Sequence, residues 1–334
     1  MKILAIADPY IPVELLEPGT AQLRTAGHDV EVVTWDEVPS IEKLQEINLL
    51  IEQHGANAYP LPPSLTAKIA QAEVVITQFA PIGRAVIEEA SYLRLIGVLR
   101  AGTENVDSEA ATKHGIHVVN TPGRNARAVA EFAVGMILAE SRNIARTHAA
   151  MQKGIWLKDF PNSDAIPELE GKTIGIIGAG NIGQLVMKFL QGFDVTCLFY
   201  DPFTESSQYG EKVEELDDLL RRSDVVSLHA RLSAQTYHLL DRRRLDLLKP
   251  GAILVNTARS GLVEEEALVE ALSTGKLLGA AIDTFDVEPL GKESPWLALE
   301  NVTLTSHLAG TTFDAFRKTP IMLSQRILDS LKED

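Results

Sequence analysis

Three side chains able to do chemistry together stand just beyond three apolar runs that lie far apart in the sequence. Arg259 follows GAILV and the polar pair Asn256 and Thr257, Glu288 sits in DTFDVEPL, and His307 ends NVTLTSH, directly before LAGTT. A guanidinium presents a planar fork that grips a carboxylate through two parallel hydrogen bonds. A carboxylate beside an imidazole favours the charged ring, which suits the histidine to give a proton to an oxygen and to remove it in reverse. Taken singly, each has an ordinary explanation: a solvated or ion-paired arginine, a loop carboxylate, a histidine that caps a helix. As a set they point to a reaction on a small carboxylic acid with proton exchange at a nearby oxygen.

A glycine turn supplies the other half. In TIGIIGAGNIGQLVMKFLQGF, Gly178, Gly180 and Gly183 form G-x-G-x-x-G immediately after an apolar strand. Ile182, Leu185, Val186, Phe189 and Leu190 then carry a helix period. Gly178 permits the tight turn, Gly180 lets the backbone approach a pyrophosphate, and Gly183 lets the helix pack closely on the sheet. The N–H groups at the helix start, around Asn181 and Ile182, meet the diphosphate charge. Asp201 ends the next strand, near the roughly 20-residue offset of a carboxylate that hydrogen-bonds an adenosine ribose. Such a carboxylate repels a 2'-phosphate, so the expected cofactor is NAD rather than NADP. Glycines that only make a tight turn, and an aspartate that only precedes Pro202, are the structural alternatives.

These residues converge only if parallel strands bring them to one rim. Short apolar or β-branched runs at 2–7, 29–34, 73–77, 94–99 and 116–119 are separated by helix-length segments, and the pattern returns at 173–177, 195–200, 224–228, 251–255, 278–283 and 301–305. Strands alternating with helices predict α/β architecture in two parallel-sheet units. Between them, the segment from Asn125 to Trp156 carries Val129, Phe132, Ala133, Met136, Ile137 and Ile144 at helical spacing, which predicts one long amphipathic helix after the breaker pair Pro122 and Gly123. Residues 157–171, with two prolines and no period, read as a loop. The last helical stretch, Thr312 to Leu331, follows the final strand of the second unit and can cross back onto the first.

At 334 residues the chain is long enough for two domains. Its formal charge of −15, from 46 acidic against 31 basic residues, argues against a nucleic-acid partner. A single cysteine, Cys197, excludes an internal disulfide and a clustered thiolate metal site, and it reads as a core residue. No metal is expected. MKILAIADPY reads as a first strand, no apolar run reaches the roughly 18 residues of a membrane span, and the expected location is cytoplasmic.

With these motifs assembled, the chain resembles the D-isomer-specific 2-hydroxyacid dehydrogenase family, including its phosphoglycerate dehydrogenase-like branch. The match runs through LRAGTENVD, GAGNIG, DVVSLHARL, NTARSGLVEEEAL, AAIDTFDVEP and SHLAG. The resemblance implies Rossmann-like and flavodoxin-like parallel-sheet domains with a cleft between them. Residues 1–120 plus 308–334 would form the substrate-binding domain, and 121–307 an inserted NAD-binding Rossmann domain. It implies that Arg259 binds the substrate carboxylate and polarises the keto group, His307 is the general acid/base, and Glu288 orients and charges His307. It also implies that Ala101 and Gly102 hold the substrate acid through backbone, that Asp283 contacts the nicotinamide carboxamide, and that His229, Thr257 and Ala258 lie along the cofactor. Members commonly pair as dimers through the inserted domain.

The chain departs from the family in places. LHARL has Arg231 where proline is common, and Ser260 separates Arg259 from Gly261. Gln78 and Ala80 stand where the phosphoglycerate branch tends to place phosphate-binding arginines, although Arg100, Arg124 and Arg127 can supply charge; for the last two, helix-start surface decoration is the alternative. Glu288 in place of the glutamine usual in the formate branch argues against formate. His148 and His238 have no motif support and read as surface residues. Besides a 2-oxo acid dehydrogenase, the alternatives are a dehydrogenase of a phosphorylated sugar acid such as 3-phosphoglycerate and a non-catalytic NAD-sensing corepressor or scaffold.

Overall fold

The computed structural model describes residues 1–160 and 167–333, so positions 161–166 of the expected 157–171 loop lie outside the described residues. The chain divides into two compact units, Met1–Arg124 with Thr312–Asp334, and Asn125–Thr311. It passes between them at 124/125 and 311/312, a few residues beyond the expected 120/121 and 307/308.

In the first unit, β1 (Lys2–Ala7), β2 (Asp29–Thr34), β3 (Val74–Thr77), β4 (Leu95–Val98) and β5 (His117–Asn120) form one parallel sheet in the order β2-β1-β3-β4-β5. That is the flavodoxin-like order. β3 and β4 are buried along their whole length, as strands covered on both faces must be. The helix Phe313–Glu333 covers one face, where Leu323 and Ile327 join Ile3, Ala5, Leu95 and Leu99. It lies so close that a Cβ on Gly97 would stand 3.0 Å from Ile327 Cδ1 and 3.1 Å from Leu323 Cδ2. The C-terminal segment is thereby part of the first unit's core.

In the second unit, β6 (Thr173–Ile177), β7 (Thr196–Tyr200), β8 (Glu211–Lys212), β9 (Val225–Leu228), β10 (Ile253–Asn256), β11 (Gly279–Ile282) and β12 (Val302–Leu304) are also parallel, in the order β12-β11-β10-β9-β6-β7-β8. The chain leaves β6 toward β7 and β8, then returns to β9 on the other side, which makes the C-terminal end of β6 the switch point where such sheets bind ligands. β8 was not expected: two charged residues on a sheet edge carry no apolar signal.

The expected single helix over 125–156 is two helices, Ala126–Ser141 and Ile144–Gln152. Asn143 stands between them at φ 56°, a left-handed conformation that asparagine tolerates better than most residues. The break re-phases the chain. Val129, Ala133, Met136 and Ile137 are buried on the first helix, whereas Ile144, counted in the same stripe from sequence, is 56% exposed. A buried carboxylate helps to fix the corner: Glu140, fully enclosed, pairs with Arg146 at 2.6 Å and accepts from Thr303 Oγ1 at 2.7 Å.

Candidate active site

Sheet register sets out the second unit's site as a row. Tyr200, Ile177, Leu228, Asn256, Ile282 and Leu304 are successive partners across β7, β6, β9, β10, β11 and β12. The residues one position further along are Asp201, Gly178, His229, Thr257, Asp283 and Thr305, all but the last singled out from sequence. Strands stand about 4.8 Å apart, so this row is a continuous ledge. Arg259 and His307 each rise two positions beyond it.

His307 and Glu288 meet: Nδ1 lies 2.9 Å from Oε2. A carboxylate only accepts, so Nδ1 carries a hydrogen and Nε2 is left for a substrate oxygen. Glu288 is itself held, because its Oε1 accepts from Phe285 N at 2.9 Å. His307 has φ 55°, a left-handed conformation that needs support from its surroundings. Asp283 provides it. Fully buried, it accepts from Thr305 Oγ1 at 2.6 Å, Leu308 N at 2.9 Å and Ala309 N at 2.9 Å, which brackets the histidine on both sides. The carboxylate expected to meet the nicotinamide carboxamide is therefore engaged with the loop that carries His307.

Arg259 is exposed and makes one hydrogen bond, from Nη1 to Ala258 O at 2.7 Å, with no carboxylate in ion-pair contact among the described residues. Its turn is clamped by Asn256, whose Nδ2 donates to Arg259 O at 2.9 Å and whose Oδ1 accepts from Ala258 N at 3.0 Å. An arginine with free donors on a fixed backbone is available to an anion. Asn256 reads in the sequence only as a polar strand end, and its clamping role went unseen there.

The glycine turn fits a dinucleotide. Gly178 has φ +94°, and a Cβ there would stand 2.6 Å from Ala230 N, while a Cβ on Gly183 would stand 2.1 Å from Gly178 O. Above Gly180 nothing lies within 4 Å, which leaves space over the start of the helix Asn181–Leu190. That first turn has no side-chain cap and no acidic residue, so its donors suit a diphosphate. Asp201 ties the turn to β7, accepting from Ala179 N through Oδ2 and from Phe203 N through Oδ1, each at 2.7 Å. On the neighbouring strand ends, His229 Nδ1 and Thr257 Oγ1 are buried without a hydrogen-bond partner among the described residues. Thr284 Oγ1, not anticipated from sequence, is in the same condition. Burial holds the His229 ring down to about 4, so it is neutral at physiological pH.

Arg231 does not leave its loop slack, because Thr236 Oγ1 donates to Arg231 O at 2.7 Å and accepts from Ser233 N at 2.8 Å. His238, expected at the surface, is partly buried and stacks on Tyr237 with centroids 4.0 Å apart.

Ala101 and Gly102 belong to the first unit, beyond β4. Ala101 O accepts from Asn120 Nδ2 at 2.5 Å, and a Cβ on Gly102 would stand 2.2 Å from Glu104 Oε2. Arg100 pairs with Glu52 at 3.1 Å and Glu104 at 3.2 Å, and Arg127 pairs with Glu131 at 2.7 Å. Among the described residues Arg124 has no such partner. Beside it, burial pushes the Asp8 carboxyl up to about 7, against hydrogen bonds from the Tyr10 and Ile11 N–H groups. A carboxyl raised on folding favours the folded state below its unfolded value near 3.8, and that contribution is lost as pH rises toward 7. Asp8→Asn is therefore expected to stabilise the protein by about 2–4 kcal/mol at pH 8 and to change nothing at pH 3.5. Urea titrations at the two pH values check this.

Comparison with known proteins places this geometry. The family described as D-isomer specific 2-hydroxyacid dehydrogenase, NAD binding domain, matches residues 134–309. The chain belongs to this family. It is 39% identical over 273 residues to a D-3-phosphoglycerate dehydrogenase of Methanocaldococcus jannaschii, covering 80% of this chain and 51% of that protein. It is 40% identical over 256 residues to a glyoxylate reductase of Thermofilum pendens, covering 75% and 76%. Among solved structures, a D-lactate dehydrogenase with NAD+ from Lactobacillus jensenii superposes with TM-score 0.76 at 25% identity, covering 100% of this chain and 97% of that one. The chain thus spans about half the length of the phosphoglycerate dehydrogenase it matches. The second unit is an NAD-binding domain, and the family is one of oxidoreductases. Among the described residues no helix is long and apolar enough to cross a membrane, and no cluster of ligating side chains could hold a metal ion.

Proposed function

We propose that this protein interconverts a 2-oxo acid and a D-2-hydroxy acid with NAD. The observation that carries the reading is the 2.9 Å His307–Glu288 pair, its Nε2 free, on the same ledge as an available arginine and a glycine turn. Gly178, Gly180, Asn181, Ile182 and Gly183 would hold the diphosphate and Asp201 the ribose, with His229, Thr257 and Ala258 along the dinucleotide. When bound, NADH supplies the hydride that reaches the carbonyl carbon. Arg259 fixes the substrate carboxylate and draws charge toward the carbonyl oxygen, which orients the acid and stabilises the oxygen as charge develops on it. His307 delivers a proton from Nε2 to that oxygen, and Glu288 balances its charge before the transfer. Asp283 acts by holding the loop.

A homodimer through the second unit is part of the proposal. The helix Ile144–Gln152 has no buried residue, and Ile144, Met151, Ile155, Trp156 and Leu157, on it and just after it, are each exposed, Trp156 at 75%. An apolar face of this kind is suited to a second copy.

The relative from Methanocaldococcus jannaschii favours a second reading, dehydrogenation of a phosphorylated acid. Against it stand Gln78 and Ala80 in the β3 loop, and an Arg100 already neutralised by Glu52 and Glu104. The test is NADH consumption by the purified chain across glyoxylate, pyruvate, hydroxypyruvate, branched 2-oxo acids and phosphohydroxypyruvate, compared by kcat/KM. Turnover of the unphosphorylated acids is expected. NADH binding with no turnover of any of them would favour the non-catalytic sensor instead.

A further inference from the structure

The rim of the second unit carries two side chains that the fold itself does not use. Phe203, two positions beyond Asp201, is 94% exposed, the most exposed of the large apolar side chains among the described residues. Arg231, two positions beyond His229, is exposed and has no carboxylate in ion-pair contact among the described residues. Both project from fixed backbone. Phe203 N donates to Asp201 Oδ1 at 2.7 Å, Thr204 Oγ1 to Ala179 O at 3.3 Å and Ser207 Oγ to Gln184 Oε1 at 2.7 Å, which ties the segment after β7 to the glycine turn and its helix. Arg231 O accepts from Thr236 Oγ1 at 2.7 Å. The residue before it packs on the turn, where a Cβ on Gly178 would stand 2.6 Å from Ala230 N. A phenyl ring held out in water is unfavourable unless something covers it.

The strand order says what fits there. β7 and β9 flank β6, and with strands about 4.8 Å apart their ends stand about 10 Å from each other. Between them β6 ends in the glycine turn, where nothing lies within 4 Å of a Cβ on Gly180. A flat ring stacked on a phenyl at about 5 Å on one face and met by a guanidinium within about 6 Å on the other bridges a gap of that width. A ribose at Asp201 carries its base beside that carboxylate. The diphosphate has the N–H donors of the helix start, and Asp201 repels a 2'-phosphate, so neither anion calls for Arg231. Its planar face remains, and a guanidinium stacks well on an aromatic surface.

We propose that Phe203 and Arg231 hold the adenine ring of the cofactor between them, the phenyl on one face and the guanidinium on the other. This rests on the cofactor reading above and adds to it two residues of this chain, one of them the arginine that stands where proline is common. Each face contributes about tenfold in affinity.

Titration of the full chain with ADP, NADH and reduced nicotinamide mononucleotide tests the clamp, because the last of these lacks the adenosine. Phe203→Ala and Arg231→Ala should each weaken ADP and NADH by about tenfold and leave the mononucleotide unchanged. Both side chains are exposed, so the unliganded variants should melt with the parent. Phe203→Trp should keep full affinity, and ADP should quench its added indole emission. Arg231→Lys keeps the charge without the plane and should recover only part of the loss. Undiminished ADP affinity in either alanine variant, or an equal loss for the mononucleotide, would overturn the clamp. So would full recovery in Arg231→Lys, which would make the arginine a counter-charge to the phosphates. If NADH binds tightly while ADP ignores both side chains, the clamp falls and the cofactor reading stands; if the parent binds neither NADH nor ADP, both fall.

Discussion

His307→Ala is expected to lower kcat by about two to four orders of magnitude, the scale of general acid/base assistance, while NADH binds with nearly unchanged affinity. The expected loss is chemical because the loop does not depend on the imidazole. Its backbone is tied by the Leu308 and Ala309 N–H groups to Asp283, and Thr305 Oγ1 adds a third bond to the same carboxylate. Alanine at φ 55° bears much the same left-handed strain, about 1–2 kcal/mol, that the histidine already bears there, so the substitution does not release three hydrogen bonds to a buried carboxylate. Single-turnover rates and NADH fluorescence titration separate the two effects. A near-normal rate in the variant would remove His307 from the proton path. Glu288→Gln can still accept from Phe285 N but loses the charge that faces the ring, and its expected loss is smaller, about tenfold to a hundredfold.

How much of this could be read from the sequence follows from the range of the forces involved. The apolar strands and the glycine turn are local patterns, and parallel strands send their C-terminal ends to one rim whatever the spacing in the chain. Arg259, Glu288 and His307 could therefore be expected at one rim from sequence, and of the three Glu288 meets His307. What depends on a single distant partner was not legible. Asn143 breaks the helix at a corner where buried Glu140 meets Arg146 and Thr303, the last more than 150 residues away along the chain. Asp283 supports the His307 loop through two backbone N–H groups that no side-chain pattern announces. Arg124 resembles its neighbour Arg127 in sequence, yet Arg127 finds Glu131 one helical turn on and Arg124 lies over the Phe316 ring. The β8 edge strand has too few residues to show a period.

Gly178→Ala and Gly180→Ala should have opposite consequences, although the two glycines stand two positions apart in one motif. At Gly178 the backbone has φ +94°, and a methyl group would stand 2.6 Å from Ala230 N and 2.7 Å from His229 C. Those are backbone atoms on the adjoining strand end, so the β6 and β9 ends must separate. The combined strain and displacement come to about 3–5 kcal/mol, which lowers the melting temperature by on the order of 10 °C and weakens NADH binding along with it. At Gly180 φ is −72° and nothing lies within 4 Å. Alanine fits the empty protein there, so its melting temperature should stay within about 1–2 °C of the parent. NADH affinity should nonetheless fall by about a hundredfold, because the methyl occupies the space through which a diphosphate approaches the helix start. Calorimetric melting and NADH titration of both variants distinguish a turn that only builds the sheet from one that holds a ligand. Undiminished NADH affinity in Gly180→Ala would mean that the diphosphate does not lie over this turn, and the order of cofactor contacts along the ledge would have to be redrawn.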